Sequence, residues 1–327
     1  MLRQTSLLVS LVLLIDHVPW PSAPVKRPCG RPKTYSDRLI LKALVIMIIR
    51  RLYTAYALLT FLDQADAVAQ QLRPLLHEHG RFPTRRTWER RLAALPQHLP
   101  GLIGCFGRHL VVLLTPWAAH GRAVAVDSTP VQTSGGIWHK KHKDQGEIPH
   151  TSIDTEAGWS KSGWHGWWYG WKLHLAVSVG SVWSPLAAEL TAANTGDNTV
   201  APQLLAPLPA EVRYVLGDTH YNDPEVRTQC EQADRTLVAT RRGAYPHHDD
   251  GVEVRRLFHK LRSQAIEPFN GLFKNVFEWR TQMPVKGLWR SQLLALGAIV
   301  IYQLVLLYQH EHSLPLGKGI KPLLRAA

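Results

Sequence analysis

Hydrophobic residues in the first third of the chain recur at helical spacing. Residues 36–120 are therefore predicted to be mostly helical, and the apolar run from Leu39 to Ile49 begins the first extended helix. Thr84 and Thr87 are both candidate N-caps for a later helix that contains Trp88, because a threonine hydroxyl can accept a hydrogen bond from a free backbone N–H. This part of the chain is predicted to form a helical domain.

Short strands replace helices after residue 121. An apolar run at 122–127 predicts the first strand. In residues 169–179, Trp171 and other apolar side chains alternate with Lys172 and His174, which predicts a strand that is buried on one face only. The remaining predicted elements are strands at 183–192, 213–217 and 236–240, helices at 199–205 and 223–233, a last helix that ends near Phe277, and polar loops at 130–168 and 241–254.

The order of these elements predicts the fold. Three strands, a helix, a strand, a helix, a strand and a last helix are the order expected of an RNase H-like domain. We therefore predict an α/β protein with a mixed sheet that is flanked by helices, preceded by the N-terminal helical domain.

Both ends of the chain contain apolar segments that have more than one explanation. The run Leu7–Ile15, which follows Arg3, is compatible with a secretory signal, with an N-terminal helix, or with an upstream start codon. Residues 293–308 include Gln303 and are shorter than the ~20 residues of a membrane span. A buried core helix is therefore predicted there, without a membrane as partner. The tail beyond Ser313 is predicted to fray.

Charge is more informative than overall composition. The 327 residues are 45% hydrophobic and 19% charged, as in ordinary globular proteins, but the net charge is +13. Residues 26–51 hold eight Lys or Arg with one acid, and residues 255–290 hold eight with two acids. Such clusters favour nucleic acid as a partner, because they neutralise phosphates and release counterions. A generally basic protein would show the same excess of positive charge.

Three acidic residues lie in settings that suggest catalysis. Asp127 in AVAVDSTP and Asp218 in YVLGDTHYND each follow a predicted buried strand, whereas Glu267 in RSQAIEPFNGLFK lies in a helical stretch rich in Arg and Lys. Hard divalent cations prefer such oxygen ligands, and two cations about 3.5–4 Å apart assist phosphoryl transfer. An Asp after a strand can also simply begin a turn.

The chain resembles a DDE transposase of the bacterial insertion-sequence type, whose catalytic domain is RNase H-like. The resemblance covers roughly residues 26–310, and it rests on the order and spacing of several short blocks rather than on any one of them. These blocks are GRPKTYSD at 30–37, VDSTPV at 126–131, YGWKLHLAV at 169–177, LTAANTGDNTVAPQLL at 190–205, VLGDTHYND at 215–223 and RSQAIEPFNGLFK at 262–274.

The resemblance implies an enzyme that cuts DNA at terminal inverted repeats and joins the 3′ ends to target DNA. It implies two Mg²⁺ or Mn²⁺ ions per active site, held by Asp127, Asp218 and Glu267. Its partners would be double-stranded DNA at the transposon ends and the target, and a homodimer or higher oligomer on that DNA. A nuclease that does not join DNA and a degenerate DNA-binding relic remain open as alternatives.

Several further residues are candidates for contact with DNA. Glu267 and Lys274 are two helical turns apart on one flank of an apolar stripe, so Lys274 is predicted to reach a phosphate. Arg262 matches an upstream Arg of the family, and Lys172 lies on the polar face of its strand. Arg85 and Arg86 belong to a cluster of arginines in the helical domain, which is equally compatible with a solvated helix face.

Other features of the catalytic region have two explanations. Asp197 in AANTGDN is predicted to support the site or cap a helix rather than to bind metal. Pro268 is expected to kink the helix that follows Glu267. The tryptophans of loop 130–168 either stack on unpaired bases between lysines or pack as a small core. His139 and His142 have no accompanying Cys pair, so no zinc site is predicted.

The resulting domain prediction divides the chain into four segments. Three widely spaced cysteines, Cys29, Cys105 and Cys230, predict reduced cytoplasmic thiols. The resemblance implies a cytoplasmic bacterial protein that is nucleoid-associated when bound to DNA. The segments are a leader or N-terminal helix at 1–25, a helical DNA-binding domain at 26–118, an RNase H-like catalytic domain at 119–280, and a C-terminal helix and tail at 281–327.

Overall fold

The computed structural model describes residues 6–21, 34–118, 121–162, 166–239, 251–279 and 282–327. The chain forms two compact units, one of Met1–Phe106 with Gln292–Ala327 and one of Gly107–Ser291. The helices of the described residues are α1 (Leu7–Leu14), α2 (Asp37–Ile49), α3 (Ala55–Leu62), α4 (Ala67–Leu75), α5 (Arg85–Ala94), α6 (Leu99–Leu114), α7 (Lys140–Asp144), α8 (Asp197–Leu205), α9 (Pro224–Gln232), α10 (Gly251–Phe277), α11 (Leu288–Glu311) and α12 (Ile320–Arg325). The strands are β1 (Ala123–Gln132), β2 (Gly158–Ser162), β3 (Gly166–Ser178), β4 (Pro185–Ala192), β5 (Tyr214–Gly217) and β6 (Thr236–Ala239).

The first unit is helical, as predicted. Ser36 caps α2, because its hydroxyl accepts a hydrogen bond from the Leu39 backbone N–H at 3.2 Å. Of the two candidate caps for α5, Thr84 is the one observed, with its hydroxyl 3.3 Å from the Thr87 backbone nitrogen. Trp88 of that helix is fully buried.

The second unit contains a six-stranded mixed sheet in the predicted RNase H-like arrangement. The strand order is β2-β3-β1-β5-β6, with β4 also paired to β3. Strand β3 is antiparallel to β1 and β4, while β1, β5 and β6 are parallel. Apart from β2, the observed strands correspond to the five predicted ones, and α8, α9 and α10 follow in the predicted order.

Strand β3 is buried on both faces, so the prediction of a half-buried strand was wrong. Trp171 and Leu173 on one face and His174 and Ala176 on the other are all fully buried. Strands β1 and β4 pair with its two edges, and helices α8 and α10 both contact it. The polar side chains of its second face are therefore inside the protein, where each requires a partner.

The predicted loop 130–168 contains several short helical and strand segments. It contains the end of β1, helix α7, strand β2 and the start of β3. Asp154 is 1% exposed and its carboxylate accepts hydrogen bonds from the Thr133 hydroxyl at 2.6 Å and the Gly287 N–H at 3.0 Å. Trp168 is buried, whereas Trp167 is 67% exposed with the Lys161 ammonium 5.7 Å from its ring centre. This segment therefore has both a tryptophan that is packed inside the protein and a tryptophan that is exposed beside a lysine.

The chain ends differ in part from the predictions. Residues Leu7–Leu14 form a buried helix. Residues 1–5 and 22–33 lie outside the described part of the chain. Residues 240–250, which include most of the predicted loop 241–254, also lie outside it. The tail does not fray, because α12 forms there and the Gln309 side chain bonds to the backbone of Gly317 and Lys318. Helix α11 alone among the described helices is long and apolar enough to cross a membrane, and 89% of its apolar window is buried within the protein.

Candidate active site

Asp127 lies on β1, and Asp218 directly follows the neighbouring parallel strand β5. Ala125 of β1 is opposite Leu216 of β5, and the same register extended by two residues places Asp127 opposite Asp218. Adjacent strands are about 4.8 Å apart, so the two carboxylates share one region of the sheet. The first strand was predicted to end at Asp127. Strand β1 instead continues to Gln132 beside β3. Asp127 therefore lies on β1 at the level where the neighbouring parallel strand β5 ends.

Burial and neighbouring charges, including that of Asp218, change the pKa of Asp127. Burial raises the pKa of Asp127 to about 6. The Arg262 guanidinium opposes that rise in the pKa, and the charges of Asp218 and Asp197 add to it. The Ser128 N–H donates to the Asp127 Oδ1 at 2.8 Å and favours the ionised form. A cation between the two carboxylates would remove their mutual repulsion.

Glu267 is connected to this pair through Arg262. Both residues belong to α10, and the Arg262 Nη1 lies 3.3 Å from the Asp127 Oδ2. The Arg262 Nη2 lies 3.8 Å from the Glu267 Oε1, and the Glu267 side chain is 61% exposed. Arg262 itself is 7% exposed, so its charge is held inside the unit by these carboxylates. The guanidinium therefore occupies the space between two of the three predicted metal ligands.

Asp197 forms a buried network beside the acidic pair. It is the first residue of α8, and its Oδ1 lies 3.3 Å from the Lys172 ammonium and 3.4 Å from the His174 Nδ1. The other imidazole nitrogen of His174 lies 2.9 Å from the Thr191 hydroxyl. Burial lowers the pKa of His174 to about 4, so the ring is neutral near pH 7 and Lys172 supplies the positive charge that balances Asp197.

Tyr221 contributes a hydroxyl that the sequence did not identify. It follows Asp218 by three residues, is 1% exposed, and its hydroxyl has no hydrogen-bond partner within the described residues. Burial raises its pKa well above the usual value, and the charges of Asp197, Asp127 and Asp218 raise it further. The phenol is therefore neutral and close enough to the three acids to experience their charge. The only sequence signal was an aromatic residue inside the polar turn THYND.

The other predicted DNA contacts lie in different surroundings. Lys274 is half-buried, and burial alone lowers its pKa to about 8, without a contribution from the acids. It is twelve residues beyond Arg262 on α10, a rise of roughly 18 Å along the helix axis. Arg85 is exposed and pairs with Glu89 at 2.8 Å, and Arg86 is exposed beside it in the first unit. Lys172 also donates to the Thr195 carbonyl at 3.1 Å.

The fit of this site to a divalent cation can be judged from its donors. Asp127 on β1 and Asp218 directly after β5 provide carboxylate oxygens, which are the donors that Mg²⁺ and Mn²⁺ prefer. In the described ranges, no three His, Cys, Asp or Glu side chains are grouped so that they could hold a metal ion together. The acidic pair fits a cation, and in this conformation Glu267 does not complete the set.

Comparison with known proteins identifies the family of this chain. The family described as Transposase DDE domain matches residues 119–304. Among solved structures, the chain is similar to the piggyBac transposase in a synaptic complex with hairpin DNA, with 10% identity and a TM-score of 0.46. That likeness covers 98% of this chain and 78% of the other. No curated protein matches the chain.

Proposed function

Because this chain belongs to the Transposase DDE domain family, we propose that it is the transposase of a bacterial insertion sequence. It would cut at terminal inverted repeats and join the 3′ ends to target DNA. The observation that supports this most directly is the register of the parallel strands β1 and β5, which, extended by two residues, brings Asp127 opposite Asp218. Two carboxylates at the end of a parallel pairing are anchored by the sheet and can face a phosphodiester.

Three acids would hold the metal ions. Asp127 and Asp218 would provide the oxygen ligands, and Glu267 on α10 would provide a third. When bound, two Mg²⁺ or Mn²⁺ ions supply electrostatic stabilisation of the phosphodiester oxygens and lower the pKa of an attacking water or hydroxyl.

The protein's own groups prepare this site for ionised carboxylates. Arg262 favours the ionised form of Asp127 against the effect of burial. Lys172 balances Asp197, so that the neighbouring buried charge is not left unpaired. The Tyr221 phenol is neutral and experiences the charge of the acids, so its hydroxyl is a donor that requires no additional charge. Exposed basic residues such as Lys260 would hold phosphates and so position the DNA.

The test uses a supercoiled plasmid as target and labelled transposon-end DNA. The variants are Asp127→Asn, Asp218→Asn and Glu267→Gln, with Asp144→Asn in the exposed helix α7 as the control. Each of the first three is expected to abolish strand joining while binding of end DNA persists, and the control is expected to join normally. Joining at the wild-type level by Asp127→Asn or Asp218→Asn would contradict the proposal.

The same assay separates the alternatives. A catalytically degenerate DNA-binding relic is the second candidate, and the exposure of Glu267 together with the absence of a three-ligand group among the described residues favours it. A relic would bind end DNA without nicking it. A nuclease would nick without joining. Joined products from the wild type support the transposase.

A further inference from the structure

Arg262 combines three properties that a DNA-contacting arginine alone does not explain. Its side chain is 9% exposed, its guanidinium contacts the Asp127 Oδ2 at 3.3 Å, and it lies 3.8 Å from the Glu267 Oε1. Its Nε has no hydrogen-bond partner within the described residues. A buried guanidinium requires carboxylates as partners, and these two belong to the predicted metal ligands.

We propose that Arg262 is an internal counter-ion that competes with the divalent cation for Asp127 and must move away before the metal site is complete. The proposal rests on the proposed function, because it takes Asp127 and Glu267 as metal ligands. Arg262 is thus a positioning residue rather than a catalytic one.

Competition follows from the chemistry of the two cations. The Arg262 guanidinium lies 3.3 Å from the Asp127 Oδ2, where it occupies one side of the carboxylate and its positive charge repels a cation bound to the same group. A guanidinium does not lose its proton at any physiological pH, so it cannot yield by becoming neutral. Full metal affinity therefore requires the side chain to move away. Its departure also frees the Glu267 carboxylate, which is on the same helix five residues later.

A phosphate is a suitable acceptor for the displaced side chain. The planar fork of arginine matches phosphate oxygens as well as it matches a carboxylate. End DNA would then attract Arg262 while the cation attracts Asp127, so that each ligand would strengthen the binding of the other. In the protein without DNA, Arg262 would keep the metal affinity low.

The experiment measures Mn²⁺ binding to the full chain without DNA, from the electron paramagnetic resonance signal of free Mn²⁺. Arg262→Gln is compared with Arg256→Gln, which removes the same charge from an exposed position of α10. We expect Arg262→Gln to bind Mn²⁺ about tenfold more tightly than the wild type, a change that corresponds to about 1.4 kcal/mol. Arg256→Gln should remain close to the wild type, because its charge is screened by solvent.

Asp127→Asn and Asp218→Asn distinguish a failure of the proposed function from a failure of the proposed competition by Arg262. If both bind Mn²⁺ as the wild type does, the acidic pair is not the metal site and the proposed function loses its main support. If both lose Mn²⁺ binding while Arg262→Gln equals Arg256→Gln or binds more weakly, the competition alone is overturned.

A measurement on the wild type covers the case in which Arg262→Gln does not fold. The Nε–H signal of Arg262 in a ¹⁵N-arginine-labelled protein is assigned by its loss in Arg262→Lys. Added Mg²⁺ is expected to shift this signal, because the guanidinium leaves Asp127. A signal that stays unchanged at Mg²⁺ concentrations that saturate the acidic pair would refute the competition.

Discussion

Gly217, at the end of β5, leaves space that the ring of Tyr221 fills. A Cβ at position 217 would lie 2.7 Å from the Tyr221 Cβ and 3.0 Å from its Cγ. Because the Tyr221 ring is buried in the hydrophobic core, it has little room to move away. The absence of a side chain at this position therefore determines where the aromatic ring lies relative to Asp218.

Gly217→Ala is accordingly expected to lower the free energy of unfolding by about 1–3 kcal/mol, the usual effect of an overpacked core. Urea denaturation followed by tryptophan fluorescence measures the change. Gly271→Ala on α10 is the control, since a Cβ there meets nothing within 4 Å. Alanine should stabilise that helix by roughly 0.5–1 kcal/mol. Equal effects of the two substitutions would show that the contact with Tyr221 is unimportant.

Glu189 on β4 provides a pH dependence that is independent of the metal ligands. Burial raises its pKa to about 7 from the usual 4.5. Between these two values the folded state holds a proton that the unfolded state has released, so stability falls as pH rises from about 4.5 to 7. Glu189→Gln is therefore expected to raise the melting temperature at pH 8 and to leave it unchanged at pH 4.5. A gain of the same size at both values would rule out this ionisation as the cause.

The sequence identified acids by local context and missed contacts between distant residues. Asp127 and Asp218 were identified as candidates because each comes at the end of an apolar run. The contact of Arg262 with Asp127 joins residues 135 apart, and no local pattern encodes it. The position of the Tyr221 hydroxyl among the acids likewise depends on how α8, β1 and β5 pack together. The roles of Glu267 and Lys274 stay predictions.

At the level of elements, Pro268 lies inside α10 without ending it. Proline removes one backbone donor and its ring crowds the carbonyl of Gln264, which costs about 3 kcal/mol in a helix interior. Pro268 is exposed, so its ring contributes little to the core. It also restricts the unfolded chain, which returns up to about 1 kcal/mol of stability. The net effect of the proline should be destabilising.

Pro268→Ala is therefore expected to stabilise α10 by about 2 kcal/mol, because the restored hydrogen bond outweighs the lost restriction of the unfolded chain. Amide hydrogen exchange of residues 262–277 should become slower in this variant. Gly271→Ala again serves as the comparison, since it raises helix propensity without adding a backbone donor. Faster exchange in Pro268→Ala would contradict the expectation that the proline destabilises this part of α10.

Elements with a clear period were predicted correctly, and those with unusual composition were not. The alternation of residues 169–179 located most of β3, but period two could not reveal that β3 is also covered on its polar face. Strand β2 was missed because its residues, GWSKS, combine strand formers with Gly and Ser. Helix α12 was missed because Pro and Gly precede it, and its ordering depends on the distant side chain of Gln309.

For the whole molecule, the net charge of +13 overstates the charge that is free to meet DNA. In the cluster at 26–51, Arg38 donates to the carbonyls of Ile15, Asp16 and Val18, and Lys42 is 8% exposed and pairs with the Asp16 carboxylate at 2.7 Å. In the cluster at 255–290, Arg256 and Lys260 are exposed, whereas Arg262 is buried against acids. The structure thus divides the basic residues into internal and external groups.

This division predicts which charges determine the salt dependence of DNA binding. Each phosphate contact contributes about −0.9 to the slope of log K against log salt. Arg256→Gln with Lys260→Gln should therefore make the slope shallower by up to about 1.8, if both residues contact phosphates. Lys42→Gln should leave the slope unchanged and lower the melting temperature instead, because it removes the partner of Asp16. The measurement is fluorescence anisotropy of labelled end DNA between about 50 and 200 mM salt.

A flat wild-type slope would remove the electrostatic argument for DNA binding. A loss of slope in Lys42→Gln equal to that in the double variant would show that burial does not decide which charges act on DNA.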